Sequence, residues 1–267
     1  MAVDSGYSQS LERGLAVLSA FASGRPQLGI SELARELTLS RSTVHRYVVT
    51  LAALGYLEQD SSTRRYRLGP RVLDLGFAAV SSMELREISA PHLQRLSDDT
   101  GHTVNMAILD HTDILYVERC RSHRLGQREI DLNLHVGSRL PAYCTSMGKV
   151  LLAFLPDEER EALLDRIELV KRGPNTLTSR VALEAELRRV RDEGIATNIE
   201  ELAFGLRSIA VPIRDQSGEV VAAINLAVHR SWVSMDDLLT RLSPALLATA
   251  AAISARAGYR PAEVRVA

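Results

Sequence analysis

Residues Gly29–Leu54 read GISELARELTLSRSTVHRYVVTLAAL, two helical patterns separated by a three-residue break. Ile30, Leu33, Ala34 and Leu37 recur at i, i+3, i+4 and i+7, one apolar stripe on a short helix. Thr38, Leu39 and Ser40 interrupt it. Ser40 is placed to cap the next helix, because its hydroxyl can accept from an orphan N–H of the first turn. In that second helix Val44, Val48 and Leu51 form the buried stripe, with Tyr47 and Leu54 beside it. At about 100° per residue, Ser42, Arg46 and Val49 fall on the opposite side, flanked by Thr43, His45 and Thr50. A polar outer face is often no more than a solvated one. Small hydroxyls, Arg and His on the first two turns also suit a recognition helix, whose N-terminal residues meet base edges and phosphates in the major groove.

The next stretch favours the recognition helix. Gly55-Tyr56 closes it, and LEQDSSTRRYRLG follows as a hairpin, with strand signals at 56–59 and 64–68 around the turn-forming Asp60, Ser61, Ser62 and Thr63. Tyr66 and Leu68 alternate with Arg65 and Arg67, which predicts one packed and one cationic face. A basic hairpin directly after such a helix is a wing. Its Arg64, Arg65 and Arg67 suit phosphate or minor-groove contact, the alternative being arginine kept only for solubility. The candidate contacts to double-stranded DNA are therefore Ser40, Arg41, Ser42, Thr43, His45 and Arg46 on the helix, with Arg64, Arg65 and Arg67 on the wing.

A chain of 267 residues suggests two domains, and 46% hydrophobic content is ample for two cores. The net charge of −1 argues against a protein that coats nucleic acid by bulk charge. Residues 1–80 hold nine arginines against seven acidic residues, so any DNA affinity must come from a local patch. The opening MAVDSGYSQS lacks the basic start and apolar core of a signal peptide, and no apolar run approaches the ~18–20 residues of a membrane span. A cytoplasmic, membrane-independent protein is expected, with Cys120 and Cys144 free in a reducing compartment.

Upstream, Ser8 caps a first helix in which Leu11, Leu15, Leu18 and Phe21 form the stripe. Three helices and a hairpin, about residues 8–68, make a compact winged module. Gly69-Pro70 opens a short helix with Val72, Leu73, Phe77 and Val80 on one side. That helix belongs either to the second core or to a linker packed against its mate in a dimer, as a palindromic site requires. A further helix is expected from 83 to 100, then β-like segments at 104–109 and 114–118 around the turn Asp110-His111-Thr112-Asp113. Helices at 146–154, from Pro156, and at 179–193 precede strands at 195–200, 207–213 and 220–228, and Ser234 caps a closing Leu- and Ala-rich helix. Helices on a mainly antiparallel sheet make this half α+β.

No dinucleotide fingerprint, P-loop, zincin motif or nucleophile elbow occurs. His111-Thr112-Asp113 has the look of a metal fragment, but in a turn it is more simply solvated. Cys144 has no assignable activating partner, so neither catalysis nor a metal or other cofactor is expected. Two features fit ligand binding. Gly137–Lys149 (GSRLPAYCTSMGK) runs from a loop into a helix whose free N–H groups favour an anion, or else is ordinarily capped by Thr145 or Ser146. Asn225 lies in the apolar strand AAINLAV, where its amide needs either a loop backbone or a polar ligand.

With these residues in place, the chain resembles the IclR family of bacterial transcription regulators. LERGLAVLSAF, ISELARELTLSRSTVHRYVVTLAALGYLEQD and RRYRLGPRVLDLG look like its N-terminal half. GSRLPAYCTSMGKVLLA and GIATNIEELAFGLRSIAVPIRDQSGEVVAAINLAV look like its effector-binding half. The resemblance implies a winged helix-turn-helix over 1–69, a dimer-forming linker helix over 70–82 and a GAF-like domain over 83–267 that binds a small organic acid. It also implies homodimers or dimers of dimers on palindromic operators, either activating or repressing. Carried over by position, the family's pocket falls on Ser146, Met147, Asn198, Ser208, Asn225 and Ala227, and Tyr143 and Thr145 join them as neighbours of the helix start.

Against the glyoxylate-responsive branch, Ser208 replaces Cys, Asn198 an acid, Asn225 and Ala227 hydroxyl residues, and Met147 a smaller side chain. RLPAYCTSMGKVLLA looks most like the branch that senses aromatic acids of the β-ketoadipate pathway, including protocatechuate and 4-hydroxybenzoate regulators. The expected effector is such an acid or a ring-opened product, and the alternative is a small keto acid such as glyoxylate or pyruvate. A small-molecule enzyme and a redox sensor built on Cys120 and Cys144 are the readings from other classes.

Overall fold

In the computed structural model the chain divides into two compact units, Met1–Ser82 and Met83–Ala267. The structure describes residues 7–81, 84–122 and 133–260.

The first unit contains α1 (Gln9–Ser19), a 3-10 turn (Ala20–Ser23), α2 (Ile30–Glu36), α3 (Arg41–Ala53), the hairpin β1 (Leu57–Gln59) and β2 (Tyr66–Leu68), and α4 (Arg71–Ser81). Its core gathers Val17, Phe21, Leu28, Leu33, Ala34, Val44, Val48, Leu57 and Tyr66. Ser40 caps α3 as expected, accepting from Thr43 N–H at 3.1 Å, a contact worth about 1 kcal/mol. Of the apolar stripe expected here, Phe21 is buried and Leu18 packs against the core, but Leu11 and Leu15 are not covered. Leu11 and Leu15 are 63% and 56% exposed, while Val17 and Phe21 pack inward. With so little interior, this module covers only one face of α1. On the wing, Tyr66 is buried, but Leu68 is exposed instead of packing with it.

In the second unit one antiparallel sheet carries everything else. Its strands are β3 (Thr103–Asp110), β4 (Asp113–Cys120), β5 (Arg139–Pro141), β6 (Ala196–Ile199), β7 (Leu206–Arg214) and β8 (Val220–His229), in the order β5-β4-β3-β8-β7-β6. β5 lies in what looked like a loop, because three residues are too few to show an alternation. Helix α5 (Glu84–Thr100) and a closing run cover one face. That run is α9 (Met235–Asp237), a π-helical turn (Leu238–Leu242) and α10 (Ser243–Arg256), capped by Ser234 as expected. Leu93, Val104, Met106, Val117, Ile209, Ile224, Leu226 and Leu246 pack there. On the other face lie α6 (Ser146–Ala153), α7 (Asp157–Leu164) and α8 (Arg180–Glu193). Ala107, Ala210 and Ala223 meet them, and such small residues let α6 sit close to the sheet.

The closing run, 22 residues from Met235 to Arg256, is after all long and apolar enough to cross a membrane by length and composition. Here Leu238, Leu242, Leu246, Ala250 and Ile253 are packed in the core, so it serves as a core helix.

All eight residues of α6 are buried. Gly148 permits this, since a Cβ there would stand 2.1 Å from the carbonyl oxygen of Ala142. Lys149, 1% exposed, is matched by Glu201 Oε1 at 2.6 Å and Glu186 Oε1 at 2.9 Å. Burial raises the Glu201 carboxyl above its ordinary range. Burial acts the same way on Glu186, but Arg189 and Lys149 hold it below. Replacing Lys149 by Ala strands the Glu201 carboxylate, while Glu186 keeps Arg189, and chemical denaturation of K149A is expected to show a loss of about 3–5 kcal/mol. Both thiols are buried, which pushes Cys120 up to about 12 and Cys144 to about 11. Neither should react with a disulfide reagent at pH 8 until denaturant is added. Rapid labelling of the native protein would revive the redox reading.

Candidate functional site

Two places bring candidate residues together, one in each unit. On α3, Arg41, Ser42, His45 and Arg46 are exposed along one side, with Thr43 partly covered. The Ser40 hydroxyl lies 2.9 Å from that of Ser42 and 2.8 Å from that of Thr43, so three hydroxyls cluster at the helix start. Those of Ser42 and Thr43 both touch the capping hydroxyl, and Ser42 stays exposed.

The wing is less basic in effect than its sequence suggests. Arg65 donates to Glu32 at 2.6 Å and to the Gln27 carbonyl at 3.1 Å, turning back onto the start of α2. Glu32 also accepts from Gly29 N–H, and its carboxyl is held below the usual range by that bond first and by Arg65 second. Arg67 forks onto Glu58, its cross-strand partner, at 2.8 and 3.0 Å. Arg64 stays exposed at the tip with φ of 60°. Beside it, Asp60 accepts from the Ser62 hydroxyl and from Thr63 and Ser62 N–H, which draws its carboxyl down to about 2 and fixes the turn. Of the three wing arginines, Arg65 therefore departs most from the outward cationic face expected of it.

In the second unit a cavity lies between the start of α6 and the sheet. Thr103, Asn105, Tyr116, Arg119, Leu134, Thr145, Ser146, Asn198, Leu202, Leu206, Ser208, Asn225 and Ala227 line it. Cross-strand register explains the grouping. Arg119, Asn105 and Asn225 stand in one row across β4, β3 and β8. Thr103, Ala227, Ser208 and Asn198 stand in the next, across β3, β8, β7 and β6. Hydrogen bonds knit each row. Arg119 donates to Asn105 Oδ1 at 2.9 Å, and Asn105 Nδ2 donates to Asn225 Oδ1 at 2.8 Å. The Ser146 and Ser208 hydroxyls are 2.7 Å apart, and Asn198 Nδ2 donates to the Cys144 carbonyl at 2.6 Å. Thr145 supplies the α6 cap, accepting from Gly148 N–H at 3.1 Å. Asn225 thus meets neither a loop nor solvent but a second buried amide.

Six of the eight expected pocket residues line this cavity: Thr145, Ser146, Asn198, Ser208, Asn225 and Ala227. Tyr143 and Met147 do not. Tyr143 is 2% exposed and donates to the Val170 carbonyl at 2.5 Å, outside the cavity. Met147, one residue beyond Ser146, is rotated by about 100° along the helix into the apolar packing of α6 on the sheet.

Arg119, Asn105 and Tyr116 had no place in the sequence reading. Arg119 reaches the cavity through a β-bulge. Met106 pairs with Glu118 but Ala107 with Tyr116, so Val117 is an extra residue in β4. Ile114 and Tyr116 face α6, and Val117 and Cys120 face α5 and α10. Strict alternation from Tyr116 would aim Glu118 into the cavity. The extra residue puts Arg119 there instead, and the cavity's lining becomes cationic. Tyr116 beside it has its phenol pushed up to about 12 by burial, so it stays neutral. The His111 imidazole, once a metal candidate, lies exposed in the β3–β4 turn.

Comparison with known proteins bears on both places. Residues 10–61 match the family model described as the IclR helix-turn-helix domain, and residues 77–255 match the model described as bacterial transcriptional regulator IclR C-terminal. The Pca regulon regulatory protein of Pseudomonas putida is 42% identical over 92% of this chain and 82% of its own length. The p-hydroxybenzoate hydroxylase transcriptional activator of Acinetobacter baylyi is 31% identical, over 91% of this chain and 90% of its own. A crystal structure of an IclR homolog from Microbacterium hydrocarbonoxydans, complexed with 4-hydroxybenzoate, superposes with a TM-score of 0.80 at 28% identity, covering 93% of this chain and 98% of that one. The chain belongs to the IclR family, and it is a DNA-binding transcription regulator of that family, not an enzyme.

Proposed function

We propose that this regulator senses an aromatic carboxylic acid of the hydroxybenzoate kind and controls genes for aromatic-acid catabolism. The observation that carries this is the make-up of the cavity, in which, among the described residues, Arg119 stands with amides, hydroxyls and apolar side chains. A half-buried guanidinium among neutral amides and hydroxyls favours a carboxylate. The Ser146–Ser208 hydroxyl pair lies in the next row of the sheet, two residues along the strands. The pair also stands three strands away from Arg119, on β7 against β4, so a partner for the carboxylate and a partner for a phenolic hydroxyl lie at opposite sides of the cavity. Leu134, Leu202, Leu206 and Ala227 offer apolar contact to the ring. The relatives named for p-hydroxybenzoate and Pca regulation, and the neighbour holding 4-hydroxybenzoate, support the same class.

A small keto acid, such as glyoxylate or pyruvate, is favoured by one observation. The free volume of the cavity is about 30 Å³, so an aromatic acid enters only as the paired hydroxyls and amides part.

In this reading residues 1–69 bind DNA, 70–82 link, and 83–267 hold the effector. Ser42, His45 and Arg46 read bases, with Ser40, Arg41, Thr43, Arg64 and Arg67 on the backbone. The Arg67–Glu58 pair is exposed and worth ~0–1 kcal/mol, so a phosphate can displace it, whereas Arg65 supports the wing from within. Tyr7, Leu11 and Leu15 around α1, with Leu73 and Leu75 on α4, are exposed apolar side chains that a second copy would cover. The working form in the cytoplasm is a homodimer or dimer of dimers on a palindromic operator.

A melting scan of the purified protein against 4-hydroxybenzoate, protocatechuate, β-ketoadipate, glyoxylate and pyruvate tests the effector class. An acid at about 100 times its Kd adds ~2.7 kcal/mol to the native state. We expect a selective shift with an aromatic acid, lost in Arg119→Met and weakened in Ser146→Ala. Stabilisation by the keto acids alone, or an undiminished response in R119M, would overturn the assignment. For the assembly, L11E with L15E should halve the sedimenting mass. An unchanged mass would place the subunit contact elsewhere.

A further inference from the structure

The bulge that sets the sign of the cavity is itself gripped from the opposite face of the sheet. Arg86, in the first turn of α5, donates through Nε to the Val117 carbonyl at 3.3 Å, and Val117 is the extra residue. Its NH2 lies 3.0 Å from Glu118 Oε2, and the other oxygen of that carboxylate accepts from the backbone N–H of Arg119 at 3.0 Å. Glu118 has a side chain only 10% exposed, and Arg86 is 31% exposed. One guanidinium and one carboxylate thus engage three successive residues of β4, the third of which carries the cavity's cation.

We propose that Arg86 and Glu118 are positioning residues for effector recognition: they hold the bulge that aims Arg119 into the cavity, and so tie acid binding to the first turn of α5. Neither residue lines the cavity. Their effect is exerted through Arg119, and it rests on the reading of Arg119 as the carboxylate's partner.

A β4 strand without the bulge would point its side chains differently. Omitting the extra residue restores regular alternation, returns Glu118 to the cavity side and withdraws Arg119 to the α5 side. An acidic group facing the cavity repels a carboxylate, so the register decides whether an anion binds at all. Arg86 favours the bulged register on two counts. It satisfies the carbonyl that the bulge frees from the β3–β4 ladder, and it keeps Glu118 paired on its own side. The chain enters the second unit through α5, since Glu84 is the first described residue after Ser81. An acid that draws on Arg119 therefore acts on the strand segment to which this helix is anchored. The link is local and physical, running through bonded groups from the cavity to the helix.

The test compares 4-hydroxybenzoate with its uncharged methyl ester by calorimetry on the full-length protein, in wild type, R119M, E118Q, R86M and the double variant R86M/E118Q. We expect the wild type to prefer the acid, and each of the four variants to lose about tenfold in acid affinity while binding the ester nearly as before. The double variant separates positioning from simple loss of an ion pair. It leaves no stranded charge, so its stability should recover towards wild type, yet its preference for the acid should stay lost. Recovery of acid affinity in the double variant, or wild-type preference in both E118Q and R86M with R119M impaired, would overturn the proposal and leave the cavity reading standing. An unimpaired R119M, or no binding of the acid by the wild type, would overturn the cavity reading and this inference with it. If R86M is too unstable to purify, Arg86→Gln keeps a donor to the Val117 carbonyl without the charge and is held to the same outcomes.

Discussion

Helix α6 is buried on every side, and the second unit is arranged around that constraint. A helix with no solvent face cannot leave a polar group to water, so each one must find a partner in the protein. The Thr145 hydroxyl takes one orphan N–H at the helix start, and the Asn198 amide takes the Cys144 carbonyl. Lys149 calls in carboxylates from α8 and from the segment after β6. Glu201 N–H in turn donates to Asn198 Oδ1 at 3.2 Å, so the clamp on Lys149 and the wall of the cavity share one segment. What keeps α6 in the core therefore also builds the polar floor beneath its first turn. Close packing sets the limit, because Gly148 is pressed onto Ala142 with no room for a methyl group.

Much of this was legible because its signals are short-range. The 3.6-residue stripe of Val44, Val48 and Leu51, the hydroxyl of Ser40 before it and the turn cluster Asp60–Thr63 identify the winged module without tertiary information. The outcome at Ser234 and Thr145 is similar, since a cap is decided within four residues. Beyond these, the family resemblance placed Ser208 and Asn198 in the pocket, which no periodicity does. Arg119 was illegible for a definite reason. Regular alternation from Ile114 assigns it to the face away from the cavity, and only a bulge read from the pairing of β4 with β3 reverses that. Leu11 and Leu15 misled in the opposite way. Their spacing is that of a buried stripe, but only its later members, Leu18 and Phe21, reach the module's interior, where Val17 joins them.

The first unit shows how a nearly neutral module can still address a polyanion. Its arginines barely outnumber its acids, and those of the wing are partly engaged by Glu32 and Glu58. Counting charge understates the local field, because Arg41, His45 and Arg46 lie together on one exposed side of α3. Counting wing arginines overstates it, because Arg65 is a strut between hairpin and α2. Affinity built this way relies on few phosphate contacts. Its salt dependence should accordingly be shallow, with more of the discrimination left to base edges and to the symmetry of a paired site.

Inside the cavity the polar groups already satisfy one another, Asn105 with Asn225 and Ser146 with Ser208. A ligand that merely replaces those bonds with equivalent ones gains little, since each bond made is offset by one broken. Hydroxyls and amides therefore select shape and orientation more than they supply affinity. Charge works differently: Arg119 brings a cation to a described lining otherwise made of amides, hydroxyls and apolar groups, and an incoming acid meets that cation directly. Only such a differential contribution can shift a conformational equilibrium, because a ligand bound equally well in two states shifts nothing. The backbone irregularity that turns Arg119 inward is thus more than a detail of one strand. On the proposed reading it converts a well-satisfied polar core into a site that distinguishes an acid from its neutral analogue, and it places that distinction on the strand that α5 holds.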